Sequence, residues 1–209
     1  MIRSKLTKIK IDKAKFKKKV AQGLKSDAVK DAAFREAQVA LSRVKYATIQ
    51  EFENHPVTQE ISDGIDASNK SGTLGTVGGN LYSFIGFYDG GDPTRVVRNY
   101  LIDKIRVFKS SRFVKYQTTG YYNFRVNPPI TKEIEAMTPL PYERGQSWVS
   151  GIERGISGLG FFLHGRFNKS RSGGGIQSDH EIRPAMFKTT RYMTSIIANF
   201  YTNIKKRRF

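Results

Sequence analysis

The chain has 209 residues and a mass of 23.7 kDa, enough for one domain with a buried core. It has no cysteine, which excludes disulfides and thiolate metal sites and fits assembly in a reducing cytosol, and no apolar run reaches the roughly 18 residues that span a bilayer. The net charge of +18 sits at the ends: residues 1–25 carry ten basic side chains against one acid, Asp12, and KKRRF at 205–209 adds +4, leaving +5 for the rest.

This distribution predicts a single domain over 1–209, with a basic N-terminal arm (1–20), an α+β body (21–204) and a basic C-terminal tail (205–209). Basic tails meet anionic surfaces, either nucleic acid or acidic protein. The candidate contacts are Lys5, Lys8, Lys10, Lys17, Lys18 and Lys19 at one end, with Lys205, Lys206, Arg207 and Arg208 at the other. The charged start, MIRSKLTKIKIDKAKFKKK, is not followed by an apolar segment, so a secretion signal is not expected.

In residues 1–12, Ile2, Leu6, Ile9 and Ile11 alternate among lysines, which suits an arm that orders against a partner better than a short strand. Lys13–Glu53 reads as helix, with Phe16, Val20, Leu24, Val29, Ala33, Ala37, Leu41, Val44 and Phe52 on a 3.6-residue stripe. Gly23 and the N-cap-like Ser26-Asp27 predict a joint near 23–27. His55-Pro56 stops the helix, because the residue before proline leaves the α region and proline has no N–H. One more turn is expected over Thr58–Ile65.

The stretch Asp66–Asn80 holds Gly72, Gly75, Gly78 and Gly79 but no GK[ST] step, so it reads as a close-passing loop and not as a phosphate cradle. Strands are predicted at Leu81–Tyr88, Lys104–Lys109, Phe113–Gln117 and Tyr121–Asn127, with turns at Ser110-Ser111 and Thr118–Gly120. Short helices are expected at Pro93–Asp103 and Thr131–Met137. Ser147–Ile156 alternates Trp148, Ser150, Ile152 and Arg154 and reads as a further strand. Gly158–Gly165 is apolar, Arg166–Gln177 is a loop, and Met186–Lys205 is the final helix, with Phe187, Tyr192, Met193, Ile196, Ile197, Phe200 and Tyr201 in its stripe and cations at its C-terminus. The fold class predicted is α+β: an antiparallel sheet packed by a long N-terminal helix and a C-terminal helix.

Residues for chemistry are sparse. His55, His164 and His180 show no paired ligand spacing and read as surface or capping residues. Asp89 and Asp92 in YDGGDP are turn formers before they are calcium ligands. Glu133 and Glu135 form a second acid pair. Glu153 is read as an edge-strand ion-pair partner more readily than as a general acid. No GxSxG, HExxH or kinase pattern occurs. The expectation is therefore no enzyme, no cofactor and no metal. Fourteen Phe and ten Tyr beside 36 Lys/Arg keep a basic nucleic-acid-binding protein as the rival reading, although most aromatics fall on core positions.

The order of these segments resembles the tail-completion and neck (head–tail joining) proteins of tailed bacteriophages. In the minor-tail family a "TG-L" segment follows the first helix and an "RPF-RPA"-like step opens the last. The matching stretches are Ser71-Gly72-Thr73-Leu74 and Arg183-Pro184-Ala185-Met186-Phe187. HPVTQEI, GNLYSFIGF, SWVSGIERGISGL and SGGGIQ are similar to neck proteins of contractile-tailed phages. The resemblance covers roughly residues 25–205, and the chain departs from it in its basic arm and in the insert Asp89–Asp103. It implies a non-enzymatic virion protein, assembled in the host cytoplasm, that forms a ring with copies of itself, commonly a hexamer. The neighbours implied are portal or adaptor, neck, tail-terminator or sheath proteins, with no membrane. The loop Lys169–Gln177, with Arg166, Lys169 and Arg171, is then the candidate for transient contact with packaged DNA.

Overall fold

The computed structural model describes residues 13–75, 79–88, 90–116, 119–141, 145–155 and 187–206. The stretch 1–12, the apolar segment 158–165, the loop 166–177 and the step 183–186 lie outside the described residues. The chain divides into two compact units: residues up to Leu41 with Val107–Asn127, and Ser42–Arg106 with Pro128–Arg208. It is of the α+β class, with its longest helix packed on a two-stranded antiparallel sheet.

The first unit begins with α1 (Lys13–Gly23) and the first half of α2 (Asp27–Glu53). The predicted joint is present: Ser26 Oγ accepts the Val29 N–H at 3.4 Å, which satisfies one of the free amides of a helix start. The sheet is a hairpin of β1 (Arg106–Tyr116) and β2 (Thr119–Asn127). Ser110-Ser111 is therefore strand and not a turn, and the two predicted strands either side of it are one. Phe113, Tyr122 and Phe124 face α2. The Phe34 and Phe124 rings lie 5.6 Å apart, those of Phe113 and Tyr122 5.1 Å, and the Tyr122 hydroxyl donates to Leu24 O at 2.9 Å. Lys109 pairs with Asp31 at 3.0 Å.

The second unit is helical. The last turns of α2 bury Val44, Thr48 and Phe52 at i, i+4, i+8. α3 (Pro56–Ser62) follows at once, with proline at its first position and His55 Nδ1 accepting the Val57 N–H at 3.2 Å. A short 3₁₀ turn (Gly64–Asp66) leads into the glycine-rich loop.

Asn80–Tyr88 does not form the predicted strand. It contains α4 (Leu81–Ile85), capped by Asn80 Oδ1 on the Ser83 N–H at 2.9 Å and ended by Gly86 at φ +79°. Leu81, Tyr82 and Ile85 are all buried, so the run reads as evenly apolar and its helical spacing is hidden.

Two predicted helices appear where expected: α5 (Thr94–Lys104), burying Val97 and Leu101, and α6 (Thr131–Met137), burying Ile134. The strand predicted over Ser147–Ile156 is not seen in its described part, 147–155, which holds α7 (Trp148–Arg154), with the Ser147 hydroxyl accepting the Ser150 N–H at 3.3 Å. The last helix, α8 (Met193–Lys206), begins seven residues later than predicted, because Tyr192 enters the core from non-helical backbone. At the core centre the Trp148 ring meets Phe87 edge-on at 5.8 Å and Tyr192 at 6.3 Å, and Tyr192 stacks on Phe52 at 6.1 Å. Aromatic packing of this kind contributes about 0.5–1.5 kcal/mol per pair beyond area burial.

Candidate functional site

The acids of the helical unit hold backbone in place. Glu60 is fully buried, and its carboxylate accepts the Ser71 N–H at 2.8 Å and the Leu81 N–H at 2.7 Å. Beside it, Asn80 Nδ2 donates to the carbonyls of Ile65 and Ala67 at 2.7 and 2.9 Å. One side chain from α3 therefore ties both ends of the glycine loop. A buried carboxylate persists only with such charge-assisted partners.

Glu153 reads from the sequence as an edge-strand ion-pair partner; it is helical instead, and among the described residues its carboxylate meets N–H and O–H donors, not a cation. It lies on α7 and accepts the amides of Tyr192 and Thr194 at 3.1 and 2.7 Å and the Thr194 hydroxyl at 2.5 Å. It caps the start of α8, where a carboxylate also suits the helix dipole. Its neighbour Arg154 pairs with Glu135 at 3.1 Å.

The remaining titratable groups are similarly occupied. Asp92 accepts from the Thr94 amide and hydroxyl at 3.0 and 2.6 Å at the start of α5, which is turn chemistry; Asp89 lies outside the described residues. Glu133 accepts from the Tyr100 hydroxyl at 2.7 Å and pairs with Lys104 at 2.6 Å, joining α5 to α6. These bonds lower its pKa, Lys104 first, while burial pushes the Tyr100 phenol up. His55 is a capping residue, with its ring 4.8 Å from that of Tyr192, and burial lowers its pKa. His164 and His180 lie outside the described residues. Among the described residues, no three His, Asp or Glu side chains are grouped to hold a metal ion.

The basic candidates divide cleanly. Lys17, Lys18 and Lys19 are exposed on α1, a helix without an acid, and Lys205 and Lys206 are exposed in the last turn of α8. Lys5, Lys8, Lys10, Arg166, Lys169, Arg171, Arg207 and Arg208 lie outside the described residues.

Two arrangements escape a reading of the sequence. The first is a joint between distant stretches: Thr73 and Leu74 are buried, Lys188 N donates to Thr73 O at 2.7 Å, and Phe187 stacks on Phe84 at 5.6 Å. The second is the hairpin face opposite α2, where Phe108, Arg112, Tyr121 and Arg125 are all exposed. Strict alternation through Ser110-Ser111 is the signal that locates it. No protein-family model, curated protein or solved structure matches the chain.

Proposed function

We propose that this chain is a structural protein of the phage neck, a ring subunit joining head and tail. The observation that carries the reading is the joint just described. Thr73, in one stretch quoted for the resemblance, accepts the amide of Lys188, the residue that follows the RPAMF step, and Phe187, which ends that step, stacks on Phe84 of GNLYSFIGF, another such stretch. These contacts give the order of the segments in this chain a physical reason, because residues distant in sequence pack together in the fold. The acids that serve as caps and ties, and not as a reacting pair, agree with a non-enzymatic role.

Ring subunits associate head-to-tail through unlike surfaces, and rotation closes the cycle. The partners in this reading are copies of the chain, commonly six, and the neighbouring portal, adaptor, neck, terminator or sheath proteins. Native mass spectrometry and electron microscopy of the purified chain test it, together with mass spectrometry of purified phage particles. A closed ring, or the chain present at ring-like copy number in particles, is the expected result. A strict monomer absent from particles refutes it.

A second reading, nucleic-acid binding, is favoured by the acid-free α1 with Lys17, Lys18 and Lys19 exposed. Each phosphate neutralised on duplex DNA contributes roughly 0.9 to the slope of log affinity against log salt. Replacing the three lysines by Gln is expected to lower that slope by about 2–3. A full-length chain with no salt-dependent DNA binding refutes this reading.

A further inference from the structure

The β1–β2 hairpin has two faces of opposite character. The face against α2 carries Phe113, Tyr122 and Phe124, and its cation Lys109 is paired with Asp31. Alternation puts Phe108, Ser110, Arg112 and Val114 of β1 on the other face, with Tyr121, Asn123 and Arg125 of β2. Phe108 is 45% exposed and Tyr121 49%, and both arginines are exposed. From Lys104 to Lys132 the sequence contains no Asp or Glu. An exposed face whose own charged residues are all cations is complementary to a polyanion, and set against the same face of a second copy it would bring like charges together.

The spacing is regular. Counted from the connection at 117–118, Tyr121, Arg112, Arg125 and Phe108 lie three, five, seven and nine residues down the ribbon. Each step of two residues is roughly 7 Å, so the row spans roughly 20 Å, with a ring at each end and two guanidinium groups between. Arg106, at the start of β1 and of the same parity, is paired with Asp103 at 3.6 Å; the two cations between the rings, Arg112 and Arg125, both carry the planar fork that matches phosphate. Rings left bare on a strand surface stack on unpaired bases, which a duplex hides within its own stack.

We infer that this face is a platform for single-stranded nucleic acid: Tyr121 and Phe108 stack on bases, and Arg112 and Arg125 hold the intervening phosphates. The inference deepens the nucleic-acid reading and does not depend on the ring. It adds a surface separate from the lysines of α1.

The test uses the full-length chain and a fluorescein-labelled 12-nucleotide oligo(dT) followed by anisotropy. The Phe108→Ala/Tyr121→Ala variant is expected to lose at least about tenfold in affinity, since removing one stacking ring costs roughly 5- to 150-fold. The Arg112→Gln/Arg125→Gln variant is expected to flatten the salt slope by about 1.4, from roughly 0.7 per single-strand phosphate. Photo-crosslinking of a bromodeoxyuridine oligomer, mapped by mass spectrometry to Phe108 or Tyr121, checks the site in the unaltered chain. Three results overturn the inference: unchanged oligo(dT) affinity in the ring variant, whether or not its oligomeric state changes; an equal loss for duplex DNA and polyglutamate; or crosslinks only outside the hairpin. A full-length chain that binds no oligonucleotide ends the nucleic-acid reading as well and leaves the ring proposal standing.

Discussion

Replacing Glu60 by Gln isolates what the buried carboxylate does, because the volume is kept while one acceptor oxygen becomes an NH₂ group that can only donate. In the native chain the two oxygens accept the Ser71 and Leu81 amides at 2.8 and 2.7 Å, with no solvent at the side chain. Whichever way the Gln amide turns, one of those N–H groups faces another donor. A buried amide left unsatisfied costs about 1–3 kcal/mol, and loss of charge assistance on the remaining bond costs about 1 kcal/mol more. The expected destabilisation is therefore roughly 2–4 kcal/mol, a large part of the 5–15 kcal/mol typical of a domain. Urea denaturation followed by circular dichroism reads this as a midpoint lowered by about 1–2 M for a slope near 2 kcal/mol/M. Glu60→Ala leaves both amides unpaired beside a cavity and is expected to cost more. A Glu60→Gln midpoint equal to that of the unaltered chain, or a Gln variant less stable than the Ala variant, refutes the argument that this carboxylate ties the loop.

Three further outcomes are expected. His55 accepts from Val57 N only when Nδ1 is unprotonated, and burial lowers its folded pKa below the usual 6.5. The unfolded chain then binds more protons just below pH 6.5, so stability from this group is complete above 6.5 and falls as the pH drops through the folded pKa. His55→Asn keeps a capping oxygen but no titration, and its urea midpoint is expected to vary less between pH 7.5 and 5.5. Glu153→Ala removes three hydrogen bonds at the start of α8 and is expected to cost about 1–2 kcal/mol, read as a lower thermal midpoint; Glu153→Gln, which keeps an acceptor, is expected to cost less. Trp148→Ala empties the centre of the helical core and is expected to cost about 3–5 kcal/mol or to prevent folding, with loss of near-ultraviolet dichroism.

Much of the helical framework is legible in the sequence, because its elements are long enough to show a period or are bounded by proline and glycine. The joint at 23–27, the stop at His55-Pro56, and the helices at Thr94–Lys104 and Thr131–Met137 are of this kind. Leu81–Ile85 and Trp148–Arg154 are misread as strands for one physical reason. They complete at most two turns and bury adjacent residues, so helix and strand patterns look alike. Their caps, Asn80, Gly86 and Ser147, are the more dependable signal. Glu60 and Glu153 are illegible because their partners are main-chain amides up to 41 residues away, which leave no trace in side-chain pattern. The hairpin platform is lost when two serines are taken for a turn, since cutting β1 there hides the shared parity of Phe108 and Arg112.

The two units differ in how they are held. Among the described residues the first buries only Ala37 and Leu41 as apolar side chains, whereas Trp148, Tyr82, Tyr192, Phe52 and Phe200 are all buried in the second. The hairpin aromatics are half covered, and an open groove of about 410 Å³ runs between α2 and the strands, lined by Leu24, Val29, Ala33, Ala37, Phe113 and Tyr122. An isolated two-stranded hairpin is marginal in water, so this unit takes its order from packing on α2. Anything that binds only the ordered form stabilises it by mass action. The hairpin of this unit, Val107–Asn127, also lies within a run of 29 residues, Lys104–Lys132, that carries no acid. Poor self-burial and the exposed cations Arg112 and Arg125 together make the hairpin the element whose stability should respond most to a polyanion, while the Glu60-tied helical core should respond least.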